Sequence, residues 1–180
     1  MPITPLHYPV AYFVYKMKKE LNLPGIIVGS MFPDFEIPLI LLLAKNTYSS
    51  DRLVLHSFLG AATLGTVLSV LFTVSLYPIL VKTVFHVKEE LVKGEIGFSR
   101  NLVMSCLLGN LSHVILDFPT HRFNPLFWPF QTTTVSVIFS YQLSLLIHFV
   151  SAALCVMLLI HHRQNTWAEL LIKQGTHAHN

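Results

Sequence analysis

Long apolar runs alternate with short polar stretches along this chain, and the lengths of the runs set the fold class. Residues 53–81, LVLHSFLGAATLGTVLSVLFTVSLYPILV, contain no Asp, Glu, Lys or Arg and a single histidine. Residues 134–160, TVSVIFSYQLSLLIHFVSAALCVMLLI, are equally uncharged and also carry one histidine. Each exceeds the ~20 residues that a helix needs to cross a bilayer. Residues 101–118 form a third, shorter span. Upstream, PGIIVGSMFPDFEIPLILLLAKN is long enough to span, but Pro33 and Pro38 interrupt it. Proline removes a helical donor and restricts the residue before it, so the stretch predicts two half-elements meeting at Asp34, with Asp34 capping the second. Residues 5–20 predict a short helix ending in the basic run KMKKE, and 82–100 a short surface helix. After Pro119, RFNPLFWPF reads as an interfacial aromatic segment, and 161–180 as a short amphipathic helix with a loose tail. The expected fold is all-α: a polytopic transmembrane helical bundle with a broken N-terminal hairpin, forming one integral membrane domain over residues 1–180.

Composition sharpens this reading. Charged residues are 12% of the chain, about half the usual share, and the mean hydropathy is +0.59. A soluble domain of 180 residues has too much surface for its volume to hide that many apolar side chains. The start, MPITPLHYPV, has neither a basic n-region nor a small-residue cleavage site, so no signal peptide is expected. Cys106 and Cys155 both fall within spans and read as apolar fillers. A net charge of +3 gives no nucleic-acid footprint, so membrane lipid is the expected partner and nucleic acid is not.

Charge placement gives an orientation. With residues 5–20 and 24–44 as two inserted passes, Lys16, Lys18, Lys19, Lys82, Lys88, Lys93, Arg100, Arg163 and Lys173 share one face, against Lys45, Arg52 and Arg122 on the other. That bias of nine to three makes the first face cytoplasmic, whereas if the first 50 residues only lie on the membrane the count is six to six and gives no orientation; the four-or-five-pass arrangement is preferred. It predicts a multi-pass membrane protein. His7, Asp34, His56, His113, Asp117 and His121 then converge near the non-cytoplasmic face.

The chemistry sits in GNLSHVILDFPTHRFNPLFWPF, residues 109–130. His113 and Asp117 are four apart, one turn along a helix face, which suits either a shared metal ion or a hydrogen-bonded pair that joins helices. Ionisable groups inside spans are costly and generally functional. Asn110, one turn earlier, is expected to orient the pair. His121 lies beyond Pro119 and reads as a further ligand or an interfacial histidine. Arg122 reads as a binder of phosphate or lipid headgroups, or as a snorkelling anchor. Glu36 reads as first-turn charge on a helix dipole, and Asp51 and Arg52 as markers of the interface. His148, mid-span, is expected to bond a neighbouring helix.

At these residues the sequence resembles the bacterial and archaeal membrane-bound metal-dependent hydrolases, a family of inner-membrane proteins. The matching elements are MPITPLH, GSMFPDFE, LHSFLG, LLGNLSHVILDFPTH and NPLFWPF, over about residues 1–130. The order His, Asp, His, then His-x-x-x-Asp is also similar to the all-helical fold of zinc-dependent phospholipase C and single-strand nucleases. That resemblance implies metal ligation by His7, Asp34, His56, His113 and Asp117. The chain lacks that fold's N-terminal tryptophan and its His-x-x-x-Glu, so one or two divalent ions, Zn2+ foremost, are expected instead of three.

The expected function is a membrane-embedded metal-dependent hydrolase acting on a phosphoester, such as a lipid headgroup or a lipid-linked phosphate. Asp117, His121 and Arg122 would serve the reaction. The alternatives are a small carrier that binds metal or protons, and a structural membrane protein.

Overall fold

A computed structural model describes residues 4–43, 52–161 and 167–172. The expected markers Lys45 and Asp51, and Arg163, Lys173, His162, His177 and His179 of the tail, lie outside the described residues. A 3-10 turn, Thr4–His7, leads into helix α1 (Tyr8–Met17). Asn22 caps α2 (Leu23–Met31) by accepting from the Gly25 amide at 2.9 Å. The PDF sequence then tightens into a 3-10 turn, Phe32–Phe35, before α3 (Glu36–Leu43). The break at Asp34 thus falls where the prolines put it.

The apolar run 53–81 is shorter as a helix than its hydropathy suggests. Val54–His56 is a 3-10 turn, and Ser57 caps the rod that follows by accepting from the Gly60 amide at 2.9 Å. That rod is α4 (Phe58–Gly60), a π turn (Ala61–Gly65) and α5 (Thr66–Ser75). Pro78 starts a new helix, α6 (Tyr77–Phe85), so the candidate span is Phe58–Ser75. Helix α7 (Glu89–Glu95) is tied to α6 by Lys82, 3.0 Å from Glu89, which also pairs with Lys93 of its own helix at 2.8 Å.

Helix α8 (Arg100–Asp117), capped by Ser99, is the central element, and its candidate span runs Arg100–Thr120. A two-stranded antiparallel hairpin, β1 (Phe123–Asn124) with β2 (Thr134–Val135), follows it. The third span therefore begins later than its apolar run: α9 (Tyr141–His161) carries the candidate span Tyr141–Ile160. A short α10 (Trp167–Leu171) docks on the bundle, where Tyr8 and Tyr77 donate to the carbonyls of Leu170 and Leu171. The result is the expected all-α membrane bundle, with three helices among the described residues long and apolar enough to cross.

Its tightest joint is between α2 and α8, and it is made of small residues. A Cβ on Gly29 would stand 2.4 Å from the Cys106 carbonyl oxygen, and one on Gly109 2.6 Å from that of Ile26. Lipid tails are as apolar as leucine, so helices in a bilayer associate through such backbone approach and through buried polar bonds. Asn110 supplies one of these: its amide nitrogen donates to Ser69 Oγ at 2.9 Å and to the Cys106 carbonyl at 2.8 Å. Asn110 thus clamps α8 to α5 instead of orienting the His113–Asp117 pair. His148 bonds within its own helix, to the Ser144 carbonyl at 2.5 Å, and not to a neighbour.

Candidate metal centre

Four pieces of backbone deliver the candidate ligands to one end of the bundle. His7 closes the first 3-10 turn and Asp34 sits in the break between α2 and α3. His56 lies two residues ahead of the rod at Phe58, and His113 and Asp117 occupy the last turns of α8. All five are buried, with between 0% and 6% of their surface exposed.

Their side chains point at one another. His113 Nε2 is 3.5 Å from Asp34 Oδ1 and 3.5 Å from Asp117 Oδ2. His56 Nε2 stands 3.7 and 3.8 Å from the same two oxygens. One ligand atom from each of Asp34, His56, His113 and Asp117 lies within 4.8 Å of all the others. Four atoms set tetrahedrally ~2.0–2.1 Å from an ion are about 3.4 Å apart, so this spacing is that of a slightly open cation cage. His7 borders it, with Nε2 at 3.8 Å from Asp117 Oδ1 and its ring stacked on His113 at 4.1 Å.

Unmet hydrogen-bonding capacity gives the test of fit. His7 Nε2, His56 Nε2, His113 Nε2 and Asp117 Oδ1 are buried with no hydrogen-bond partner among the described residues. Orphaned polar atoms are expensive in a protein interior and rare. Gathering several at one point is explained by a cation that they share. Asp34, His56, His113 and Asp117 are therefore a buried group able to hold a metal ion.

The opposite edges of the rings are fully engaged, which fixes the tautomers. His113 Nδ1 donates to the Ser30 carbonyl at 2.7 Å, a bond that depends on the close α2–α8 approach. His56 Nδ1 donates to Glu36 Oε2 at 3.0 Å. Both rings then present an Nε2 lone pair inward, the usual arrangement behind metal-bound histidines. Glu36 does more than complement a helix dipole. Its carboxylate also accepts from the amides of Leu53 at 3.1 Å and Leu55 at 2.7 Å, and so holds the turn that carries His56.

Arg52 is the second residue whose place differs from the sequence reading. It is buried, and its Nε and Nη2 donate to Asp117 Oδ2 at 3.2 and 2.8 Å. The same Nη2 donates to His121 Nε2 at 2.8 Å. His121 must therefore carry its proton on Nδ1, which lies 2.8 Å from Thr120 Oγ1 and 3.2 Å from the Asp117 carbonyl. Burial, and then the neighbouring Arg52, push the His121 pKa down to about 4, so it is neutral at pH 7. Its side chain is 14% exposed, which puts it at the rim of the cluster.

Arg122 lies outside the cluster. It is exposed, with its guanidinium over the Phe123 ring at 5.3 Å. The guanidinium at the cluster is that of Arg52. Little in the sequence marks this, since an arginine before an apolar run is what an interface also requires. Glu36 left a better signal, as one of only nine acidic residues and two positions from Asp34 in an apolar stretch.

No curated protein and no solved structure matches the chain. A family model does match, that of the YdjM inner membrane protein, over residues 8–173. With nearly the whole length covered, the chain belongs to that inner-membrane family, and three helices among the described residues are long and apolar enough to cross a membrane.

Proposed function

We propose that this chain is a membrane-embedded metal-dependent hydrolase that acts on a phosphoester, in a lipid headgroup or a lipid-linked phosphate, through metal-activated water. The observation behind the reading is the set of buried, unpartnered atoms of His7, His56, His113 and Asp117, converging from three elements on one point that Asp34 also faces. A packing cluster would have satisfied them with one another.

In this reading His7, Asp34, His56, His113 and Asp117 hold one or two divalent ions, with Zn2+ preferred by a set of imidazoles and carboxylates. When bound, such an ion polarises a phosphoryl oxygen and brings the pKa of water near 7. The remaining work belongs to the chain. Glu36 and the Ser30 carbonyl keep two imidazoles aimed inward, and Asp117 presents two oxygens, one toward His7 and one toward His56 and His113. Thr120 and His121 shape the rim. In this reading the cluster, at the His7 and Asp117 ends of α1 and α8 while Lys16 and Arg100 stand at their opposite ends, faces the non-cytoplasmic side.

The test is metal content. Protein purified in detergent without chelator, then offered zinc and manganese, is expected to retain at least one equivalent by mass spectrometry. His113→Ala and Asp117→Asn should each lose it. A metal-free wild type sinks the proposal. A loaded protein that cleaves nothing in a phosphodiesterase and phospholipid screen, yet passes metal across proteoliposomes, would make the site a carrier's.

A further inference from the structure

The end of α8 away from the cluster holds a cavity of about 260 Å³, set between the α1–α2 connection and the helix start. Tyr15, Lys19, Leu21, Ser99, Asn101 and Ile172 are among its lining residues. Asn101 and Asp117 bound nearly the whole of α8, so roughly 24 Å of helix separates this cavity from the metal centre. Its walls are fastened to each other. The Asn101 side-chain amide donates to the Glu20 carbonyl at 3.2 Å, and the Asn22 backbone amide donates to Ser105 Oγ at 2.8 Å.

Charge, a buried hydroxyl and depth together describe an occupant. Lys18 and Lys19 stand in the connection and Arg100 beside Ser99, and none of the three has an ion pair among the described residues. By contrast, Lys82 and Lys93 both pair with Glu89. Glu20 also lines the cavity, and three cations against one carboxylate leave the region positive. Tyr15 is 4% exposed and lines the cavity, yet its hydroxyl has no hydrogen-bond partner among the described residues. Buried tyrosine hydroxyls ordinarily find an acceptor, and an anion in the cavity supplies one. The first amides of α2 and α8 are already taken by Asn22 and Ser99, so the lysine and the tyrosine carry the binding.

Depth settles which anion fits. The candidate span of α8 starts at Arg100, so the cavity lies where the apolar stretch meets the headgroup layer. Leu21 and Ile172 give it an apolar side beside Lys19 and Asn101. A headgroup joined to its glycerol backbone matches both sides, whereas a free anion matches one.

We propose that this cavity binds the headgroup of an anionic phospholipid, with Lys19 holding the charge and Tyr15 donating to a phosphate oxygen. Basic pockets between spanning helices take such headgroups. The site is separate from the metal centre and stands or falls without the hydrolase reading.

The test is native mass spectrometry of the full-length protein in detergent, titrated with dioleoyl phosphatidylglycerol and, separately, with dioleoyl phosphatidylcholine. Wild type should hold the anionic lipid about tenfold more tightly. Lys19→Gln should weaken that binding about fivefold and Tyr15→Phe about tenfold. Lys93→Gln, which removes the same charge from α7, should match wild type. Equal affinity for the two lipids overturns the proposal, as does unchanged phosphatidylglycerol binding in either Lys19→Gln or Tyr15→Phe. A loss in Lys93→Gln as large as that in Lys19→Gln overturns it too, by reducing the effect to general surface charge. Displacement of the lipid by millimolar orthophosphate would make the ligand a free anion and overturn it equally.

Discussion

At the scale of single residues, the function of a side chain here is set by what the next turn of chain brings to it. Glu36 gathers two backbone amides and one imidazole from residues 53–56, so one carboxylate both shapes a turn and aims a ligand. Partners of this kind typically contribute 10–100-fold to metal affinity. Glu36→Gln should therefore weaken metal binding by about that factor, read by competition with a chromophoric chelator, while leaving the helical circular dichroism intact. An unchanged affinity would leave Glu36 with only its backbone role. The same dependence explains what the sequence conceals. His113 and Asp117 are readable because four residues on one helix fix their relation in advance. Glu36 and Arg52 are not, because each meets its partner across a fold-back whose geometry no local periodicity encodes.

Among elements, the α2–α8 joint carries the site. Gly29 and Gly109 let the two backbones approach, and that approach delivers the Ser30 carbonyl to His113 Nδ1. Gly29→Ala puts a methyl group 2.4 Å from a carbonyl oxygen that cannot swing aside. It should cost about 1–3 kcal/mol or more. The expected result is a lower thermal midpoint in detergent together with weaker metal binding. Gly97→Ala, where a Cβ meets nothing within 4 Å, is the control. If Gly29→Ala matched the control in both readouts, the joint would not be what positions His113. Apolar run lengths reveal that helices exist, but not where they stop. The helix that the run 53–81 suggests starts only at Phe58, because Ser57 caps it, and restarts at Pro78. The run from 134 yields two residues to a hairpin before α9 begins at Tyr141.

For the whole molecule, the arrangement of charge and cluster predicts an orientation. Lys88 lies in the connection before α8, and Phe130, 93% exposed, in the segment beyond the cluster. In intact cells a membrane-impermeant thiol reagent should label Phe130→Cys and spare Lys88→Cys until the membrane is opened. The native Cys106 is buried and Cys155 lies within α9, so neither should add much background. The reverse labelling pattern would put the cluster on the cytoplasmic side.

The last span is the least enclosed of the three candidates. Only 11% of the Tyr141–Ile160 window is buried, and every cluster residue precedes it in the chain. In terms of biosynthesis, a ribosome feeding this chain into the membrane delivers His7, Asp34, His56, His113 and Asp117 before the last span has emerged. If the site holds metal, the nascent chain carries every proposed ligand before the last span arrives to pack on the turn that ends at His7.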